Sequence, residues 1–189
     1  KRCSMELGGK NAIAVMGDAD VALAVEGALW GAFGTSGQRC TASSRLIVDR
    51  SALGAFTEAL LAQTAKLRIG DGLDESVHIG PLINGPQRDR VHGYTKVGVA
   101  EGATLLTGGD FAGGGGLEDG FFYQPTIFTE VSPGMRIAQE EIFGPTTAVI
   151  PVDGLDAAIA AANGTSYGLS LSLYTNDLRT AFRAIAELQ

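Results

Sequence analysis

The stretch Gly34-Thr35-Ser36-Gly37-Gln38-Arg39-Cys40-Thr41-Ala42 stands where one periodic pattern stops and another begins. Before it, Val21, Ala24, Val25, Ala28, Leu29 and Phe33 recur at the three- and four-residue spacing of an amphipathic helix. After it, Leu46-Ile47-Val48 has the character of a buried strand. A cysteine on a glycine-flanked turn between helix and strand can be held at the floor of a cleft with its backbone N–H exposed. Two roles are open to Cys40 on this stretch alone. It is a reactive thiol, with Arg39 beside it favouring thiolate, or a small buried hydrophobe.

The same alternation continues in both directions. Residues 11–16 form a short apolar strand, Asp18 or Asp20 caps the helix behind it, and Trp30 anchors that helix's buried face. Residues 45–48 form the next strand, and Ser51 caps a helix running to about Arg68, with Phe56, Ala59, Leu60 and Leu67 on its apolar side. Residues 69–84 read as loop, 86–101 as a polar helix and 104–107 as a strand. The glycine-rich run 108–120 lacks the strand–turn–helix spacing of a dinucleotide fingerprint and reads as a surface excursion. Pro125 marks an edge or bend in the aromatic region 121–131. A buried strand over 147–152, an Ala-rich helix over 156–163 and a strand over 169–174 follow. A closing helix over 177–188 is expected to turn Ala181, Phe182, Ile185 and Ala186 inward. The pattern predicts one α/β domain over residues 1–189, with a mostly parallel sheet covered by helices on both faces.

Composition narrows the function. The 189 residues suffice for one domain that buries roughly 70 % of its unfolded surface. A net charge of −7 argues against nucleic acid or anionic lipid as partner, and no apolar run has the length of a membrane span. The two cysteines, Cys3 and Cys40, offer neither a disulfide framework nor metal-ligand spacing, so no metal is expected. The chain opens at Lys1 without a signal-peptide pattern, which predicts a cytoplasmic protein or a piece of one.

Two further stretches carry chemistry. Met5-Glu6-Leu7-Gly8-Gly9-Lys10 places a carboxylate before two glycines and a strand; such a Glu suits a general base, or is a surface residue before a turn. Gln139-Glu140-Glu141-Ile142-Phe143-Gly144-Pro145 puts two carboxylates and an aromatic ring on a tight turn before a strand, or is simply a helix end with a Gly-Pro stop. Glu140 and Glu141 are consecutive and point apart, which disfavours a dedicated acid–base pair. His78 and His92 fall in loop and polar helix and read as surface residues, although a Cys–His hydrolase would need one of them beside Cys40.

Taken together and in this order, E-L-G-G-K, G-Q-R-C-T-A and E-I-F-G-P resemble the signature set of the NAD(P)-dependent aldehyde dehydrogenase superfamily, over essentially the whole chain. The resemblance implies the fold of that family's catalytic domain. It implies Cys40 as nucleophile, its backbone N–H as oxyanion donor, and Glu6 as activator of the water that hydrolyses a thioester. It also implies that Glu141 binds the nicotinamide ribose of NAD or NADP, that Phe143 packs beside the nicotinamide, and that Leu7 offers its carbonyl to the carboxamide. Glu140 is then a solvated neighbour or a partner for a basic residue. Thr146 stands where Val is common in the family. The family's dinucleotide-binding domain precedes the glutamate motif and its oligomerisation arm follows the last segment. Both are therefore expected outside these 189 residues, which alone would be catalytically incompetent. An aldehyde or semialdehyde substrate and a homo-oligomeric parent are implied. Two rivals remain: an enzyme passing the acyl group to coenzyme A, which the presence of Glu6 opposes, and a non-catalytic binding or structural module.

Overall fold

The computed structural model describes residues 2–189. Its elements in chain order are β1 (Asn11–Val15), α1 (Val21–Phe33), a short 3-10 turn (Gly34–Gly37), β2 (Ser43–Asp49), α2 (Arg50–Thr64), α3 (Gly85–Ala100), β3 (Thr104–Thr107), β4 (Thr126–Thr129), α4 (Arg136–Gln139), β5 (Thr146–Val152), α5 (Gly154–Asn163), β6 (Leu171–Tyr174) and α6 (Leu178–Glu187). The strands form one six-stranded sheet in the order β3-β4-β5-β2-β1-β6. Only β3 runs antiparallel to its neighbour; every other pairing is parallel. The expected α/β class and mostly parallel sheet are what is observed.

Strand side chains alternate between faces, and the two cores divide accordingly. Ile13, Val15, Leu46, Val48 and Val149 pack with Ala24, Val25, Ala28 and Phe33 of α1 and Phe56 and Leu60 of α2. Ala12, Ala14, Ile47, Ala148 and Ile150 face the other way, towards Val91 of α3, Ile137 of α4 and Ala158, Ala161 and Ala162 of α5. The central strands therefore have no polar face, which is why they read as unbroken apolar runs.

Several local expectations are corrected. Asp20 caps α1 by accepting the Leu23 N–H, whereas Asp18 ties down Thr175 and Asn176 beyond β6. Asp49, not Ser51, caps α2, and that helix stops at Thr64. Pro125 marks a bend rather than an edge, because β4 starts at the next residue and lies inside the sheet. Trp30 does not anchor the core: the small residues Ala24, Ala28 and Ala32 form the buried stripe, and the indole is 65 % exposed with the Arg39 guanidinium 4.9 Å from its ring centre. In α6 only Ala184 is buried, while Phe182 and Ile185 are exposed. Among the described residues no strand extends the layer beyond β6, and the Leu178–Phe182–Ile185 stripe faces away from the core.

Asp49 joins two helices at the end of β2. It accepts N–H bonds from Ser51 at 2.9 Å and from Gly154, at the start of α5, at 2.9 Å. The Ser51 hydroxyl, then these backbone donors, holds its carboxyl below the ordinary range. Asp49→Ala is expected to lower stability by about 1–2 kcal/mol at neutral pH, as read by urea unfolding. Because the folded-state pKa is depressed, this contribution is complete above the unfolded value near 3.9 and is lost as pH falls through the folded value. The gap between variant and parent should therefore close in acid.

Candidate active site

The sheet order makes β5, β2 and β1 adjacent and parallel, and each of the three motifs immediately precedes one of them. Parallel strands share a direction, so residues just before them gather on one edge of the sheet. This is how segments far apart in sequence meet.

The contacts between them run through glycines. The Gly9 N–H donates to Glu141 Oε1 at 3.0 Å. A side chain on Gly8 would overlap the Glu141 carboxylate, and one on Gly9 the Cys40 carbonyl oxygen. Gly37 has φ +66°, and a side chain there would overlap the Gly144 carbonyl, so the cysteine and E-I-F-G-P motifs are also in backbone contact. Ahead of Cys40, Thr35 and Ser36 hold left-handed backbone at φ 55° and 56°, which costs non-glycine residues roughly 1–2 kcal/mol each. Ser36, buried, donates its hydroxyl to Gly80 O at 2.8 Å and helps fix this turn.

Cys40 is exposed with a free thiol, which removes the buried-hydrophobe alternative. Among the described residues no acceptor takes its backbone N–H. Arg39, by contrast, is committed to Trp30, donating to its carbonyl at 3.1 Å while stacking on its ring. Glu6 and Leu7 lie on the exposed run leading to Gly8, and the Glu6 carboxylate enters no hydrogen bond among the described residues. Glu141 is half-buried, with Oε1 engaged by Gly9 and its second oxygen against the open backbone of Gly8. Phe143 is 36 % exposed on left-handed backbone, φ 60°.

Glu140 is a structural partner of a basic residue. Arg136 donates to both its oxygens, at 2.7 and 3.1 Å, and the Tyr94 hydroxyl to Oε2 at 2.6 Å. The Arg136 bond first, then Tyr94, pulls its carboxyl down to about 2. The histidines are engaged away from the thiol: His78 Nδ1 accepts the Arg68 N–H, and His92 lies against Phe111 and bonds the Tyr123 hydroxyl.

Three residues escaped sequence reasoning. Asn11 is buried and donates to the carbonyls of Cys40 at 2.6 Å and Ala42 at 3.2 Å, while accepting the Ser170 N–H at 3.0 Å. It pins the cysteine loop to β1 and to the start of β6. Arg45, on β2, donates to the carbonyls of Lys10, Ala161 and Ala162 and so closes the C-terminal end of α5. Lys10 is buried beside it, its amine brought down to about 7 by burial first and by Arg45 second, with Glu141 and Glu140 acting in the opposite sense. The signal available for Asn11 was a polar residue opening an otherwise apolar strand. For Lys10 and Arg45 nothing in the pattern distinguishes a buried cation from an exposed one.

Removing the Asn11 amide leaves two carbonyls and an N–H without side-chain partners. Asn11→Leu is therefore expected to cost about 2–4 kcal/mol in urea unfolding. It should also change the rate at which iodoacetamide modifies Cys40, with Cys3 as the internal control. An unchanged Cys40 rate would show that the loop is held without Asn11.

Similarity to known proteins agrees with this geometry. The family model for the aldehyde dehydrogenase family matches residues 1–189. The chain is 44 % identical, over all 189 residues, to betaine aldehyde dehydrogenases of Brucella anthropi and Mesorhizobium japonicum, spanning 39 % of each. A crystal structure of betaine aldehyde dehydrogenase from Staphylococcus aureus in complex with NAD+ matches 97 % of this chain and 36 % of its own, at 39 % identity and a TM-score of 0.95. A 1-pyrroline-5-carboxylate dehydrogenase matches 97 % of this chain and 34 % of its own, with a TM-score of 0.90. The chain thus spans about two fifths of the length of the curated relatives it matches. With the three motifs assembled on one sheet edge and the match running from the first residue to the last, this chain belongs to the aldehyde dehydrogenase family.

Proposed function

We propose that residues 1–189 are the cysteine-bearing catalytic domain of an NAD(P)+-dependent enzyme that oxidises an aldehyde or semialdehyde to the carboxylic acid. The observation that carries this reading is the convergence of the exposed Cys40 thiol, the Gly8-Gly9 run behind Glu6, and the Glu141–Phe143 turn on one edge of the sheet. The Cys40 thiolate adds to the carbonyl carbon, and the Cys40 N–H meets the oxyanion that forms. Loss of hydride from that carbon leaves a thioester on Cys40. Glu6 takes a proton from the water that attacks the thioester, releasing the acid and the thiolate. Exposure of Glu6, on a run that ends against Cys40's own carbonyl, suits a base that works on water.

The residues present fit one end of the cofactor. Glu141 offers carboxylate oxygens to a ribose diol, which has only hydroxyl donors to give; Phe143 offers an exposed ring, and Leu7 an exposed backbone. Bound there, the nicotinamide is the hydride acceptor. The same reading takes the parent as a cytoplasmic protein and, as its resemblance implies, as a homo-oligomer acting on a small aldehyde. Transfer of the acyl group to coenzyme A is the less favoured outcome, because Glu6 supplies the base that hydrolysis needs.

In the enzyme carrying this domain, Cys40→Ser should abolish aldehyde oxidation while leaving cofactor binding in place. Glu6→Gln should give a burst of reduced cofactor and then stall at the thioester. Rapid-mixing and steady-state kinetics check both. Substantial turnover in the Ser variant would end the thioester reading, and normal turnover in the Gln variant would remove Glu6 from it.

The chain by itself presents the contacts of the nicotinamide-ribose end. Against association costs of about 4–15 kcal/mol, these should hold NAD+ or NADP+ only weakly. Calorimetry on the 189-residue chain should find no micromolar binding, and an aldehyde panel no turnover. Either would show that these residues hold a complete site.

A further inference from the structure

Where β1 and β6 begin, beside the end of α5, lies a cavity of about 280 Å3. Lys10 and Arg45 border it, together with Asn163, Tyr167, Ser170 and Leu188. Of all its lining side chains these two are cationic and none is acidic, in a chain whose net charge is −7. Both cations are buried, Lys10 at 1 % exposure and Arg45 at 4 %. Burial opposes the charge of each, and the two repel.

The surrounding protein answers this charge only in part. Arg45 spends Nε and one N–H of each terminal nitrogen on the carbonyls of Lys10, Ala161 and Ala162. A guanidinium has five N–H donors, so one remains on each terminal nitrogen. The Lys10 Nζ reaches no acceptor on the described residues. The carboxylates that act on it through space bond elsewhere: Glu141 takes the Gly9 N–H, and Glu140 takes Arg136 and the Tyr94 hydroxyl. Neither borders the cavity. Serving the last carbonyls of α5 accounts for Arg45, which bonds two of them, but not for Lys10, which bonds none. An amine buried without an acceptor costs far more than an aliphatic side chain of the same length.

We infer that this cavity is a carboxylate-binding site, with the Lys10 amine and the remaining Arg45 N–H groups as donors and Leu169, Leu171 and Leu188 as its apolar wall. A carboxylate supplies the two acceptor oxygens and the single negative charge that the pair lacks. The volume falls just under the roughly 300 Å3 at which pockets for larger ligands begin, which suits a small acid or an Asp or Glu side chain from the rest of the parent. The site is separate from the three motif turns, since none of Cys40, Glu6, Glu141 and Phe143 borders it.

Sodium acetate is the test ligand, with acetamide as its neutral counterpart and chloride replacing acetate at constant ionic strength. The first arm is NMR on the 189-residue chain with 13C-labelled lysine. A short neutral tail follows Gln189, which borders the cavity and whose own carboxylate would compete. The Lys10 signal is assigned by its loss in Lys10→Met or, should that variant not fold, by replacing the other lysines with Arg. Lys10, brought down to about 7 by its surroundings, should titrate higher in acetate. A rise of about one in pKa, tenfold in proton affinity, is expected because an opposite charge beside an ammonium favours its charged form. Acetamide should move nothing, and the exposed Lys66 and Lys96 should stay in place. A Lys10 pKa unmoved by acetate overturns the inference. Thermal unfolding of the enzyme that carries this domain separates the two sources. A free acid as occupant predicts that acetate raises Tm in the unsubstituted enzyme and not in Lys10→Met. A carboxylate of the parent's own chain predicts no acetate response and a Tm lowered by Lys10→Met. Acetate acting equally on both forms, or an enzyme indifferent to acetate and to the substitution alike, overturns the site.

Discussion

A side chain on Gly9 would overlap the carbonyl oxygen of Cys40, and one on Gly8 would overlap the carboxylate of Glu141. Two residues without Cβ atoms therefore let three chain segments approach to backbone distance. The Gly9 N–H makes use of that approach by donating to Glu141, so the spacing that sterics permits is also the spacing a hydrogen bond enforces. Gly37 against Gly144 repeats the device between the other pair of motifs. The site's geometry is thus set by backbone against backbone, which is stiffer than contacts between long side chains.

That closeness has an electrostatic counterpart beneath it. Lys10 and Arg45 are both nearly inaccessible, and the two cations repel. Arg45 is compensated by three carbonyls, an arrangement that suits a planar guanidinium. Lys10 has no hydrogen-bonding partner on the described residues and sits within the field of Glu141 and Glu140. Charging it is opposed by burial and by Arg45, and favoured by those carboxylates. The amine is consequently balanced near neutrality instead of being fixed as a cation.

The fold was legible because its signal is periodic. The alternation of apolar strands and helices survives in sequence, and the unbroken apolar runs of β1 and β5 already mark strands buried on both faces. What was not legible depends on which neighbour an element finds. The Phe182–Ile185 stripe of α6 has the spacing of a core face, yet among the described residues no strand beyond β6 gives it anything to pack on. Trp30 is apolar by type and exposed because smaller residues of α1 meet the sheet better. At the site, Cys40, Glu6, Leu7, Glu141 and Phe143 were named by resemblance, and the structure places their segments together. Asn11 was not named, since an amide's importance lies in which carbonyls it reaches, and those are 29 and 31 residues away.

The three motifs gather on the amino edge of the sheet, just ahead of β1, β2 and β5. In parallel α/β sheets the opposite, carboxyl edge is the usual place for ligands, because helix N-termini there attract anions. Here those N-termini have their own acids. Asp20, Asp49 and Asp177 accept the first free N–H groups of α1, α2 and α6, and Asp153 stands at the N-cap of α5. Three of these helix starts are capped by the chain's own carboxylates, while Asp153 makes no cap hydrogen bond and pairs with Arg50 instead. On the amino edge the loops before β1, β2 and β5 carry no such caps, their glycines leave room, and Lys10 and Arg45 lie beneath. The carboxylates that end the strands cleanly into helices thus lie on one edge, and the three motifs, brought together by glycines, on the other.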